Sequence, residues 1–480
     1  MEQPSGAARL EQPVQLSLLL ALLGGLAYLA ARLELVGLGI GLFIPTLIVY
    51  GYLLVRNPAI GLYSAVILGF LLIGIGRYLP GVQVGLGMDA ILLTTWLALF
   101  FHRFRTGIDG RAMRKDIMFW ALISFGYSIL ELFNPESRSL EAWFSGRSLG
   151  FYMVLLIPLT LLLMDDKYKL DRFLLVWGIL SLLVSIKGII QVKGWGLDQW
   201  EQNWLNEGNY KTHVLFGKLR AFSFLSDAGQ FGANQAYSAV VMLITAFATM
   251  GWKRKLFFLT VGLVALYGMV ISGTRGAISI PFAGFALYFL LRRNKWLLVT
   301  GTIILVVIIF FFKFTTIGQG NAEIRRMRTA FDPNDASLQV RINNQKILKN
   351  YLASRPFGGG IGHGGVKAQR FLPNAYLSQI PTDSWYVLIW VEQGIVGLIL
   401  HLIMLLYILI RSCYLIMYRI RNPELKLKLS ALAAGMFGVM IASYGNAILG
   451  QMPTNVLIYI SMAVLLNAPT LDRPSKLNIN

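Results

Sequence analysis

Apolar stretches near the membrane-spanning length of about 20 residues recur from one end of this 480-residue chain to the other. Segments that are apolar on every side must be buried, and a long series of them fits a bilayer better than a soluble core. About fourteen are read, at 14–31, 35–55, 60–76, 83–101, 116–133, 148–164, 173–192, 229–250, 256–272, 276–291, 296–312, 384–410, 428–449 and 453–468. The first two are poorly separated, and the ninth and tenth form a tight hairpin around Ser272-Gly-Thr-Arg-Gly276. The expected fold is therefore an all-α polytopic membrane protein with about 12–14 transmembrane helices. Composition agrees, with 56% hydrophobic and only 14% charged residues. The polar N-terminus runs straight into the first apolar segment, which reads as an uncleaved span rather than a signal peptide.

Orientation follows from the short connections. Arg103, Arg105, Arg111, Arg114 and Lys115 crowd one, Lys167, Lys169 and Arg172 another, and Lys253, Arg254 and Lys255 a third. Arg292, Arg293 and Lys295 follow the tenth segment, and Arg411, Arg419, Arg421, Lys426 and Lys428 follow the twelfth. With fourteen spans all five fall on one side, which the positive-inside rule makes cytoplasmic, together with both termini. The expected organisation is a transmembrane bundle over 1–192, a first extracytoplasmic loop over 193–228 and further spans over 229–312. A large basic extracytoplasmic loop, partly helical, then covers 313–383, and C-terminal spans occupy 384–480. Long loops are largely exempt from the charge rule, so the basic character of the second loop calls for another cause. A basic cavity open to the outer face suits a polyanion such as a lipid-linked diphosphate.

The net charge of +20 thus reflects topology and anionic headgroups rather than nucleic acid, and membrane lipids are expected partners. The single Cys413 excludes an internal disulfide and a cysteine metal cluster, and four scattered histidines lack ligand spacing. No metal site and no cofactor are expected. No repeat of 20–50 residues and no inverted halves are apparent.

Three arginines stand on the predicted outer face: Arg220, Arg275 in the hairpin, and Arg341 in the long loop. Guanidinium groups match phosphate oxygens and stabilise charge on a departing diphosphate. Snorkelling, or pairing with an acid such as Asp227 or Glu323, is the alternative for each. Lys187 lies about one turn from the outer end of its span, where it can snorkel or reach the same diphosphate. Arg355-Pro-Phe-Gly-Gly-Gly-Ile-Gly-His363 reads as a flexible turn, with His363 as turn chemistry or as a substrate contact, and Arg355 as a second candidate contact. Asp383 and Ser384 open an apolar helix, so either can cap it; Asp383 is the candidate general base for an acceptor hydroxyl, and Ser384 a candidate substrate contact. Glu392, Gly394 and Gly397 lie deeper and suit helix packing.

Four stretches, in this order, resemble the O-antigen ligase/polymerase superfamily of bacterial membrane glycosyltransferases. They are Arg220-Ala-Phe-Ser-Phe-Leu-Ser-Asp-Ala-Gly-Gln-Phe-Gly232, Ser272-Gly-Thr-Arg-Gly-Ala277, Arg341 with Arg355-Pro-Phe-Gly-Gly-Gly-Ile-Gly362, and Asp383-Ser-Trp-Tyr386 with Val391-Glu-Gln-Gly-Ile-Val-Gly397. The resemblance covers roughly 215–400. It departs at Asp383, where the family commonly has His, and at Thr274, which replaces a Ser but keeps the hydroxyl. It implies transfer of a glycan from an undecaprenyl-diphosphate carrier to a hydroxyl, at the periplasmic face of the bacterial inner membrane. Arg220, Arg275 and Arg341 would hold the leaving diphosphate, and Asp383 would orient or deprotonate the acceptor, without a metal. Lipid A–core as acceptor would make a ligase, which the glycine-rich loop and the Glu-x-Gly-x-x-Gly helix favour. A carrier-linked repeat unit would make a polymerase, and a protein hydroxyl an O-oligosaccharyltransferase. A polyisoprenoid-glycan transporter or flippase is the reading from another class.

Overall fold

The computed structural model of the chain describes residues 41–473, apart from 42, 80, 105, 106, 108, 109, 111, 216, 330, 331 and 333–335. The segment expected at 14–31 lies outside the described residues, as does the start of the next. From 60–76 onward, each apolar segment coincides with a helix.

The helices are α1 (Phe43–Arg56), α2 (Ala59–Gly76), α3 (Leu86–Arg103), α4 (Asp116–Leu130), α5 (Leu140–Gly146) and α6 (Ser148–Leu163). Next come α7 (Lys167–Lys193), α8 (Gln199–Trp204), α9 (Tyr210–His213), α10 (Ala228–Ala248), α11 (Trp252–Ile271) and α12 (Ser279–Arg292). They are followed by α13 (Lys295–Phe314), α14 (Ala322–Arg328), α15 (Ala336–Leu352), α16 (Trp385–Tyr414), α17 (Pro423–Ala442) and α18 (Thr454–Leu471). A two-residue hairpin, Val214–Leu215 with Lys218–Leu219, precedes α10. The protein is an all-α polytopic membrane protein. Among the described residues nine helices are long and apolar enough to cross a bilayer, or ten if α5 and α6, bent by 42°, make one span.

That count is below the fourteen segments read from sequence, of which the first and the start of the second lie outside the described residues. Among the others, some apolar runs fold into shorter, bent or more polar helices. The 14 residues of α12 reach about 21 Å at 1.5 Å per residue, short of the ~30 Å hydrocarbon core. Its run begins instead with a tight 3₁₀ turn at Arg275–Ile278. The run at 428–449 is shifted to α17, which Asn422 caps by accepting from Leu425 N at 2.8 Å and which gives way at Ser443.

The chain divides into two compact units. The smaller comprises residues up to Gly61 together with 94–108, where the His102 ring bonds the Val55 carbonyl at 3.0 Å. The larger comprises 62–93 and 109–480. At its centre α10 packs against α11 and α17, and α17 against α12. Small residues permit the close approach: a Cβ on Gly438 of α17 would lie 2.5 Å from the Ile280 carbonyl of α12. Three polar contacts tie α7 to α10 inside this packing, where lipid offers no alternative partner. Trp177 Nε1 donates to Ser238 Oγ at 2.8 Å, and Ser181 and Ser185 both donate to Gln235 Oε1, at 2.9 and 2.8 Å. By contrast, only 6% of the α13 apolar window is buried by protein, and the helix is apolar all round, as a lipid-facing span is.

Candidate functional site

One wall is built where α11 ends and α10 begins. Asp227 caps α10 by accepting from Gln230 N at 2.9 Å, which satisfies one of the free first-turn amides. After α11 the chain turns at Ser272, whose Oγ accepts from Thr274 N at 3.1 Å. Gly273 follows with φ +59°, a left-handed conformation open to glycine. The Thr274 hydroxyl donates to Ala228 O at 2.7 Å and accepts from Arg220 at 3.0 Å, so the hydroxyl retained at this position is used twice. Arg220 also donates to Ser272 O at 2.9 Å and to Thr212 O at 2.8 Å, tying the 212–220 hairpin to the turn.

The long loop forms the roof over this wall. Leu348 and Leu352 of α15 form a buried cluster with Leu377, Ile380 and Val391, which seats the loop on α16. Arg326 of α14 donates to Gly273 O at 2.5 Å, and Arg275 donates to Thr329 Oγ1 at 2.8 Å. From α15, Arg341 Nε lies 3.3 Å from Asp383 Oδ2. Ser384, and not Asp383, caps α16: it accepts from Val387 N at 3.4 Å and donates to Ser443 O at 3.3 Å. Asp383 is thereby left with its carboxylate facing the cavity and Arg341.

The glycine-rich loop is a packed element rather than the flexible turn its composition suggests. Helix α16 breaks at Gly394 (φ +65°, ψ −170°), which deprives carbonyls of the preceding turn of their helical partners. Gly359 N donates to Val391 O at 2.8 Å and Gly360 N to Glu392 O at 2.9 Å, replacing the lost helical bonds. The fit leaves no space, since a Cβ on Gly394 would lie 1.9 Å from Pro356 O. The loop motif and the Glu-x-Gly-x-x-Gly motif are thus two halves of one joint.

These elements line two adjoining cavities, and a third lies beyond them. The basic one, about 1150 Å³, is lined by Lys211, Arg220, Arg275, Arg326, Arg341 and Lys367 against Asp227, Asp332 and Asp383. All four residues read as catalytic candidates, Asp383, Arg220, Arg275 and Arg341, therefore share one cavity. A chamber of about 420 Å³ adjoins it and shares Asp227, Gly229, Lys367, Asp383 and Asn446. Burial lowers the Arg220 guanidinium to about 10, with repulsion from Arg326 and Arg275 adding to the effect and Asp227 opposing it. It stays cationic at neutral pH, in a group of like charges that an anion would relieve.

The substrate-contact candidates separate from this group. Lys187 is held by Asp198 at 3.2 Å and Glu201 at 3.1 Å, and lines none of the three cavities. Arg355 pairs with Glu136 at 3.1 Å and stacks over Tyr351, also away from them. His363 is buried in the glycine-rich loop, where Nε2 accepts from Arg138 N at 2.9 Å and Nδ1 faces Ile361 O at 3.0 Å. Burial lowers its pKa, so it serves as a neutral strut. Ser384 works as the cap of α16. Sequence reading missed Arg326, Lys367 and Asn446. Arg326 is one of three arginines in a seven-residue helix, and no spacing singles it out.

A helical membrane protein whose arginines and carboxylates face a common cavity has the makings of a membrane-embedded transferase. Comparison with known proteins names the kind. A family model described as "O-Antigen ligase" matches residues 260–402, from within α11 into α16. The "O-antigen polymerase" of Salmonella muenchen is 27% identical over 327 residues, spanning 66% of this chain and 79% of that protein. By these matches the chain is similar to the O-antigen ligase/polymerase superfamily, and its long apolar helices make it a multi-pass membrane protein.

Proposed function

We propose that this protein joins glycan repeat units carried on undecaprenyl diphosphate, as an O-antigen polymerase does. The observation that carries the reading is that Arg275, Arg326 and Arg341 share a cavity with Asp383, and Asp383 also lines the adjoining chamber. The donor diphosphate lies among the arginines. An acceptor hydroxyl in the chamber attacks the anomeric carbon, the bond from that carbon to the diphosphate oxygen breaks, and the electron pair leaves on the diphosphate. Arg275, Arg326 and Arg341 stabilise the charge that develops there. Asp383 takes the hydroxyl proton and passes it to solvent.

Sidedness supports the reading. The site gathers the N-terminal ends of α10, α12 and α16 and the C-terminal ends of α11 and α17. The basic connections 251–255, 292–295 and 411–428 join the opposite ends of those helices. By the positive-inside rule the site faces away from the cytoplasm, the periplasm for an inner-membrane enzyme.

The polymerase reading draws on the Salmonella muenchen relative, whose match covers most of that protein. The ligase reading draws on the description of the family model and on the glycine-rich motif. Protein in nanodiscs, given carrier-linked repeat units alone, is expected to produce a ladder of carrier-linked polymer. Product that forms only when lipid A–core is added would make it a ligase, and no product with either acceptor would remove the transferase reading.

A further inference from the structure

Beyond the chamber lies a third cavity of about 1220 Å³. It is enclosed by the 81–86 loop, the start of α3, the α5–α6 bend and the 450–455 segment. It shares Ser145, Ser148, Lys367, Phe371, Gly450 and Gln451 with the chamber. Lys367 lines all three cavities. It is exposed, and among the described residues its ammonium has no hydrogen-bond or ion-pair partner.

The chemistry of the third cavity differs from that of the basic one. Its charged lining is Asp89, Glu141, Arg147, Lys367 and Arg370, and Arg147 is already paired with Asp89. What remains is Glu141 against Lys367 and Arg370, a weaker positive charge than that of the basic cavity, with less attraction to a diphosphate. Gln83, Glu141 and Gln451 supply planar hydrogen-bonding groups of both senses. Gln83 and Glu141 are exposed and have no side-chain partner among the described residues. Phe144, 50% exposed, and Phe371 add flat apolar faces. Polar groups of both senses beside aromatic faces suit a sugar chain, whose rings carry hydroxyls at the rim and C–H groups on the face.

We infer that this cavity binds the glycan of the acceptor substrate, several sugars from the reacting hydroxyl, with Lys367 at the point where acceptor and donor meet. The inference rests on the transferase reading. In a direct displacement the nucleophile enters opposite the leaving group. A diphosphate in the basic cavity therefore places the acceptor on the chamber side of Asp383, and the chamber continues into the third cavity.

The probe is a water-soluble oligosaccharide of one repeat unit, freed from its carrier by mild acid, so that it lacks any diphosphate. Saturation-transfer NMR on the detergent-purified full chain is expected to show binding by wild type and by Arg275→Ala. Glu141→Gln and Phe144→Ala are expected to weaken binding about tenfold each and to raise the KM for the oligosaccharide as acceptor by a similar factor. Donor KM and the thermal midpoint should stay unchanged. Glu141 is exposed in the first turn of α5, so its conservative variant keeps the test open if Phe144→Ala fails to fold. Undiminished binding by Glu141→Gln and Phe144→Ala, or loss of binding in Arg275→Ala instead, would overturn the inference. Oligosaccharide binding that depends on Glu141 without any turnover would leave this site standing and sink the transferase reading.

Discussion

Arg341 Nε on the roof helix α15 stands 3.3 Å from Asp383 Oδ2, at the entrance to α16. With side chains 33% and 48% exposed, the pair contributes only about 0–1 kcal/mol to stability. Its removal should therefore affect chemistry far more than folding. We expect Asp383→Asn to lower kcat by a factor on the order of 10² or more, in the range of a lost general base. The thermal midpoint should shift by no more than a degree or two, so a large drop would mean that the carboxylate is structural.

Arg220 and Arg275 line the same cavity but are held differently. Three donors of Arg220 are bonded to Thr212 O, Ser272 O and Thr274 Oγ1. Arg220→Ala should cost on the order of 3 kcal/mol through the carbonyls it abandons. It should be read as a fall in thermal midpoint and in yield. Arg275→Ala should reduce kcat by roughly 10², comparable to losing one donor aimed at developing charge, with a smaller stability change. Thermal unfolding run beside turnover separates the two, and equal destabilisation would refute the distinction.

At Gly394 the backbone is left-handed and a Cβ would meet Pro356 O at 1.9 Å. Gly394→Ala must therefore displace the glycine-rich loop, at a cost of about 3 kcal/mol or more from strain and lost bonds. Gly320→Ala, at a site with no atom within 4 Å of the added Cβ, is the control and should be neutral. Detergent-phase melting curves of both variants test this.

His363 supplies the pH dependence. Burial holds its pKa below the ordinary value of about 6.5, so between the two values the unfolded chain binds more protons than the folded one. Its contribution to stability is full above about 6.5 and is lost as pH falls through the folded pKa. Protonation would also put a hydrogen on Nε2, which now accepts from Arg138 N. Wild-type melting points should decline on acidification from pH 7 to 5, and His363→Gln should flatten that decline.

Much of the site was legible because its motifs sit at helix ends, where the apolar runs stop. Arg220, Arg275 and Asp383 each flank a span, and membrane threading alone placed them on a common face. The rest depended on how the long loop folds. Arg326, Lys367 and Asn446 reach the cavities through packing of α14, the 366–370 turn and the turn after α17, which no local pattern encodes. Lys187 and Arg355 looked free in sequence because their partners, Glu201 and Glu136, gave no sign of the pairing. The glycine-rich loop looked flexible because the helix break that it repairs lies more than thirty residues away.

The central claim is that the basic cavity holds the donor diphosphate beside Asp383. A cryo-EM structure of the protein in nanodiscs with undecaprenyl diphosphate tests it most directly. Both phosphates are predicted to lie within hydrogen-bonding reach of Arg275, Arg326 and Arg341, with the isoprenoid tail leading to the lipid. Phosphates bound at the opposite ends of these helices, or density on the far side of Asp383, would contradict the account.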